Sequence, residues 1–144
     1  MDHIFQYGQD RLTIGKAMAL TQGRMRGHLN PATLDRVRQS AEYVDGIVAA
    51  EKVVYGINTG FGPLCDTIIS PEDTSRLQHN LLMSHAVGVG NPIAPEIAKT
   101  MMIIKVQALV QGYSGIRLET VQRICWMIDH DMIPVVPEQG SVGA

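Results

Sequence analysis

The apolar residues of this chain recur at steps of three and four over most of its length, which is the spacing of one face of an α-helix. Asn30 and Pro31 predict the start of the clearest helix, because an asparagine side chain caps free amides and proline suits the first turn. Its apolar stripe comprises Leu34, Val37, Ala41, Val44 and Val48. A shorter helix is predicted after Thr13 and before Gly23, with one apolar face formed by Ile14, Ala17 and Met18.

Three more helices are predicted further along the chain. Residues 70–73 have the order of a capping box, and the helix after them carries Leu77, Leu81 and Ser84 or His85 on one face. Pro92 and Pro95 open a further helix, which Gly112 ends. Most of the circumference of this helix is expected to be buried, and the apolar residues that lie in register along it are Ile97, Met101, Ile104 and Ala108. The last helix begins near Leu118, stops before Pro134, and carries Val121, Ile124, Cys125 and Ile128. Residues 133–137 are predicted to be extended, strand content is minor, and the predicted architecture is all-α.

Two glycine-rich stretches, residues 53–64 and 139–144, do not fit the helical pattern. The glycines of the first lack the spacing and the following lysine of a phosphate-binding loop, so nucleotide binding is not indicated. No metal site is indicated either, because His79 and His85 fall on different faces of a helix and the remaining histidines, His3, His28 and His130, are isolated.

Composition and charge exclude several functional classes of protein. A chain of 144 residues fits one domain, and 12 basic against 14 acidic residues leave no basic surface for nucleic acid. The longest apolar run, residues 97–110, contains two lysines and is too short for a bilayer span. We see no secretory signal, and two distant cysteines indicate neither a disulfide framework nor zinc, so a reducing cytoplasm is the default compartment.

Four motifs then make the sequence recognisable. In order and spacing they resemble the N-terminal part of the aromatic amino acid ammonia-lyases, from about Leu12 onward, and the surroundings of His85 are similar to those of the histidine-specific members. The motifs are Tyr55-Gly56-Ile57-Asn58-Thr59-Gly60-Phe61-Gly62, the run from Leu77 through Ser84-His85-Ala86 to Gly90, Gly112-Tyr113-Ser114-Gly115-Ile116-Arg117, and Gly140-Ser141-Val142-Gly143-Ala144.

The resemblance implies an all-α fold like that of the fumarase and aspartase superfamily. Residues 1–144 would form a single N-terminal domain, the helical bundle of the homotetrameric family enzymes would lie beyond Ala144, and no external cofactor would be needed. In this family an Ala-Ser-Gly tripeptide cyclises to 4-methylidene-imidazol-5-one (MIO), and Ala144 matches its first residue. The Ser and Gly are absent, so we expect either a portion of a longer enzyme or a sequence interrupted at the modified group.

The resemblance also implies roles for particular residues. Tyr55 matches the tyrosine that removes the β-proton of the substrate, and His85 matches the position that contacts the ring end of the substrate. Asn58 and Gly60 lie in the loop of Tyr55 and would shape the pocket. For Arg117 we favour a structural ion pair near a helix start over a clamp on the substrate carboxylate.

The expected function is elimination of ammonia from L-histidine to give trans-urocanate, the first step of histidine breakdown, with a small amino acid as the partner. Two alternatives stay open. Within the family, a tyrosine ammonia-lyase or tyrosine 2,3-aminomutase shares the tyrosine, the MIO and often a histidine. Outside it, the chain would be an inactive helical fragment that associates through the 34–48 stripe and the 97–108 helix, since it lacks the Ser-Gly pair.

Overall fold

The computed structural model describes residues 3–50, 52–57, 59 and 71–140. Five helices and four short strands lie in these ranges, so the prediction of a mainly helical chain with minor strand content is confirmed. In chain order they are β1 (His3–Gln6), α1 (Ile14–Thr21), β2 (Met25–His28), α2 (Pro31–Ala49), α3 (Pro71–His85), β3 (Gly88–Pro92), α4 (Pro95–Leu109), α5 (Leu118–Asp129) and β4 (Pro137–Gly140).

The chain divides into two compact units, and the first comprises Met1–Glu42 and Pro92–Val136. Its core is built from β1, α1, α2, α4 and α5 together with the turn residues beside them. Burial of these apolar side chains is the main source of its stability. The core side chains are Phe5, Tyr7, Leu20, Val37, Ile103, Val106, Leu109, Val110, Leu118, Val121 and Ile128.

A parallel pair of strands anchors one side of this core. β1 and β2 are joined through α1, and Phe5 lies opposite Gly27 in their register. The ring of Tyr7 packs edge-on against Phe5, with centroids 5.3 Å apart. It also covers Gly27, where an added Cβ would lie 2.1 Å from Cε2 of Tyr7. Only glycine therefore lets the tyrosine ring rest on the second strand.

Side chains from α2 and α4 hold the segment that follows β1. The hydroxyl of the fully buried Thr33 donates to the carbonyl of Tyr7 at 2.9 Å. The amide of Gln107 accepts from the backbone N–H of Gly8 and donates to the carbonyl of Asp10, both at 3.1 Å. Each contact satisfies a backbone group that β1 leaves unpaired as it turns towards α1.

The predicted starts of α1 and α2 and the predicted ends of α4 and α5 agree with the structure, but Pro92, predicted to open α4 together with Pro95, is the last residue of β3. Thr13 caps α1 by accepting from the N–H of Lys16 at 3.3 Å, and Asn30 caps α2 by accepting from that of Thr33 at 3.0 Å. Gly112, with φ of +82°, follows the end of α4. α5 ends at Asp129, before Pro134.

The predicted apolar face of α4 was wrong. Ala98, Ile103, Val106 and Leu109 face the core, whereas Ile97, Met101 and Ile104 are 50–55% exposed. On α1, Ile14 and Met18 are likewise 83% and 52% exposed. Both helices are apolar on more than one face, so periodicity alone does not identify the face that packs.

The second unit comprises Tyr43–Asn91 and Pro137–Ala144, which include the end of α2, all of α3 and the strand pair β3–β4. Its described apolar side chains are largely exposed, with Leu82 and Met83 at 70% and 69%. That residues 1–144 act as one domain stays a prediction. No helix in the described ranges is long and apolar enough to cross a membrane.

Two ionisable groups of the first unit lie in its core. Burial raises the pKa of the Tyr7 hydroxyl, with smaller contributions from Cys125 and Asp129. That hydroxyl has no hydrogen-bond partner among the described residues. Burial, and to a lesser extent the Asp129 carboxylate, raises the pKa of the Cys125 thiol from 9.0 to about 12. Both groups are therefore neutral in the folded chain at physiological pH.

We expect Gly27→Ala to destabilise the chain by about 1–3 kcal/mol, because the new methyl group must displace the Tyr7 ring from the core. Gly15→Ala is the matched control: a Cβ there meets nothing within 4 Å, and removing a helical glycine should raise stability by up to about 1 kcal/mol. Urea unfolding of both variants measures the difference. Equal stabilities would show that Tyr7 does not depend on Gly27.

The raised pKa of Cys125 predicts slow reaction with a disulfide reagent. In a Cys65→Ser background at mildly alkaline pH, modification of Cys125 should be on the order of 10²–10³-fold slower in the folded chain than in urea. The same shift makes stability pH-dependent. Stability is full below the unfolded thiol pKa of 9.0 and falls as the pH rises towards 12, because only the unfolded thiol ionises. Equal reaction rates in buffer and urea would contradict the burial.

Candidate functional site

A tight turn presents Tyr55. The carbonyl of Val54 accepts from the N–H of Ile57 at 3.1 Å, and Gly56 between them has φ of +78°. Positive φ at the third residue alone is the pattern of a type II turn, which explains why glycine follows the tyrosine. The N–H of Gly56 also donates to the hydroxyl of the buried Thr59 at 3.3 Å. Tyr55, at the second position of the turn, is 61% exposed.

The last turn of α3 presents His85. Its Nδ1 lies 3.0 Å from the carbonyl oxygen of Leu81 and 2.9 Å from Oγ of Ser84. The N–H of Val87 donates a hydrogen bond to the carbonyl of His85 at 2.8 Å, so the chain leaves the helix directly after the histidine. The imidazole is thus fixed by one ring nitrogen at an exposed helix end.

The pairing of β3 with β4 brings two of the glycine-containing motifs together. β3 and β4 form a two-stranded sheet, and the side-chain amide of Asn91 donates to a carboxylate oxygen of Glu138 at 3.4 Å. A Cβ on Gly140 would lie 2.8 Å from the backbone oxygen of Val87. Glycine at this position permits the close approach. Gly140, which precedes residues 141–144, therefore lies beside Val87, two residues after His85.

The second unit contains the sequence-predicted site residues. The structure describes Tyr55 on its turn and His85 at its helix end, together with Gly140, all in that unit. Asn58, Gly60 and Ala144 lie outside the described residues. Their assigned roles, like those of Tyr55 and His85, stay predictions.

Two other sequence predictions concern charged and metal-binding groups. Arg117 stands at the N-cap position of α5, and the described part of the chain contains no ion pair to it. A structural ion pair is therefore not seen there. In the same ranges no three His, Cys, Asp or Glu side chains come close enough together to hold a metal ion.

Sequence reasoning assigned no role to Ser84, although it quoted the residue in a motif. Its hydroxyl donates to the carbonyl of Leu81 at 3.0 Å and touches the imidazole of His85. A serine next to a histidine in the last turn of a helix is the signal that was available, since both side chains can reach the carbonyls three or four residues back.

Comparison with known proteins agrees with this arrangement of motifs. Residues 12–144 match the model of the aromatic amino acid lyase family, so the chain belongs to that family. A histidine ammonia-lyase of Streptococcus pyogenes serotype M1 is 39% identical over 144 residues, which are 100% of this chain and 28% of that protein. One from Caldanaerobacter subterraneus subsp. tengcongensis is 43% identical over 135 residues, or 94% and 27% of the two chains.

The fold agrees with the family. The crystal structure of histidine ammonia-lyase from Trypanosoma cruzi superimposes with a TM-score of 0.83 at 37% identity, covering 99% of this chain and 27% of that one. The mainly helical architecture is therefore that of the ammonia-lyases. This chain spans 28% of the length of its Streptococcus pyogenes relative.

Proposed function

We propose that this chain is the part of a histidine ammonia-lyase that supplies the base Tyr55 and the ring-contacting residue His85. The observation that carries the proposal is the identity to histidine ammonia-lyases over the whole chain, 39% for the Streptococcus pyogenes protein. Its site-level support is the exposure of both side chains, one on a glycine turn and one at a helix end. The reaction is elimination of ammonia from L-histidine to give trans-urocanate.

Proton removal from the β-carbon is the step we assign to Tyr55. A phenol acts as a base only where nearby positive charge or hydrogen-bond donors favour its ionised form. Tyr55 is 61% exposed, so such groups and the substrate can approach it. We propose that parts of the lyase beyond this segment, in the same or another subunit of a homotetramer, provide them.

The ammonium of an amino acid is a poor leaving group, and the family solves this with MIO. Once formed, that group would supply an electrophile that improves the leaving ability of the amine. Ala144 would contribute the first of its three residues, and the following Ser and Gly would complete it. In this chain Gly140, the last described residue before Ala144, lies close to the backbone of Val87. No external cofactor is required.

The ring end of the substrate is the part we assign to His85. An imidazole exchanges hydrogen bonds with another imidazole or with a phenol, but finds no partner on a phenyl ring. Asn58 and Gly60, which follow Tyr55 in sequence, would shape the pocket around that ring.

A hybrid lyase tests the proposal. In it, this chain replaces the matching 28% of the Streptococcus pyogenes relative. The purified hybrid should release ammonia from L-histidine and form urocanate, which ultraviolet absorbance follows. Tyrosine is assayed in parallel: if it is the better substrate, the tyrosine lyase or aminomutase alternative replaces histidine. An assembled hybrid that is inactive on both would contradict the proposal.

Tyr55→Phe in the hybrid lyase should lower kcat by roughly 10²–10⁴-fold, the usual contribution of a general base. The near-ultraviolet absorbance of MIO should be unchanged, because the variant alters no residue of the cyclised tripeptide. Tyr113→Phe is the control, since Tyr113 is 94% exposed and has no assigned role. Near-normal turnover of the Tyr55 variant would refute the assignment.

His85→Leu in the hybrid lyase should raise KM for histidine far more than it alters the thermal midpoint. The change removes a hydrogen bond to the substrate ring from an exposed position that contributes little to packing. His130→Leu is the matched control: His130 also ends a helix and also places Nδ1 against a carbonyl, that of Trp126, at 2.8 Å. Unchanged substrate preference in the His85 variant would exclude its role.

A further inference from the structure

Three polar atoms meet at the end of α3. Oγ of Ser84 lies 3.0 Å from the carbonyl oxygen of Leu81, and Nδ1 of His85 lies 3.0 Å from the same oxygen. Oγ and Nδ1 are 2.9 Å apart. Each of the three atoms is therefore within hydrogen-bond distance of the other two.

Counting protons assigns the donors in this triangle. The Leu81 carbonyl can only accept, and the Ser84 hydroxyl carries one proton, which it donates to that carbonyl. Nδ1 then faces two oxygen lone pairs. An unprotonated Nδ1 would place a third lone pair against them, whereas a protonated Nδ1 donates to both oxygens. Of the two neutral forms of the ring, the one that carries its proton on Nδ1 satisfies both contacts.

A neutral imidazole has one N–H, so Nε2 of His85 is then a hydrogen-bond acceptor. An acceptor at this position recognises a ring that ends in a donor. The N–H of a second imidazole and the O–H of a phenol both qualify, and a phenyl ring does not. The tautomer thus sets the direction of the hydrogen bond to the substrate.

A second histidine isolates the contribution of Ser84. At the end of α5, Nδ1 of His130 also lies 2.8 Å from a carbonyl four residues back, and its ring stacks on Trp126 with centroids 4.4 Å apart. Asp129 precedes it in place of a serine, and no hydroxyl touches its ring in the described contacts. His85 has no stacking partner among the described rings, and Oγ of Ser84 is the second group that holds it.

We propose that Ser84 is a positioning residue that fixes His85 in the Nδ1–H form, so that Nε2 accepts a hydrogen bond from a donor on the substrate ring. The part that concerns substrate rests on the proposed function, in which His85 contacts the ring. The tautomer itself does not.

Nitrogen NMR of the ¹⁵N-labelled 144-residue chain tests the tautomer without any reaction. In an alkaline buffer, where imidazoles are neutral, long-range correlations distinguish a protonated from an unprotonated ring nitrogen, and a His85→Gln variant assigns the signals. We expect the Nδ1–H pattern for His85. Ser84→Ala should shift the Nδ1 and Nε2 signals towards the other tautomer, Ser84→Thr should restore the original pattern, and His130 should not change. An Nε2–H pattern in the unaltered chain, or no shift in Ser84→Ala, would overturn the proposal.

The hybrid lyase tests the consequence for substrate. Ser84→Ala should raise KM for histidine roughly tenfold, the effect of weakening one hydrogen bond, with a smaller change in kcat, and Ser84→Thr should recover most of the loss. An unchanged KM beside a shifted tautomer would overturn the positioning role in substrate binding. If the hybrid is inactive while the NMR pattern is as expected, the proposed function fails and the tautomer assignment stands.

Discussion

The candidate site depends on one close approach between backbones, that of Gly140 to Val87. A side chain at position 140 would meet the carbonyl oxygen of Val87 at 2.8 Å, so the strands β3 and β4 can pair at this point only through glycine. The pairing joins two motifs separated by some fifty residues in the sequence. One motif has just delivered His85 at the end of α3, and the other continues towards Ala144. The contact therefore places Gly140 beside the chain that follows His85.

The same use of glycine recurs in the first unit for a structural purpose. Gly27 lets the ring of Tyr7 lie directly on β2, which completes the core around the parallel strands. There the buried groups are held neutral, as the raised pKa values of Tyr7 and Cys125 indicate. The side chains with proposed chemical roles differ from these in their exposure to solvent. Tyr55 and His85 are both exposed, on a turn and at a helix end, where they can reach a substrate.

The chemistry proposed for the site depends on the exposure of both side chains. Tyr55 is presented by a turn whose conformation Gly56 makes possible, and within the described residues Nδ1 is the ring atom through which His85 is held. The remaining requirements, a setting that favours the phenolate and the completed electrophile, belong in our proposal to parts of a lyase outside this chain, which spans 28% of the Streptococcus pyogenes relative.

Much of this was readable from the sequence, because its causes are local. Thr13 and Asn30 predicted helix starts, since a cap acts within one turn, and the motifs around Tyr55 and His85 identified the family because they are contiguous. Tertiary structure decided what depends on distant partners. The face of α4 that packs against the core is one example, and Ile97 and Met101 are half exposed on its other side. The pairing of β1 with β2 and of β3 with β4 is another. Tertiary structure also gave Ser84 a contact with His85, because side-chain distances follow from the folded path of the chain, which periodicity does not specify.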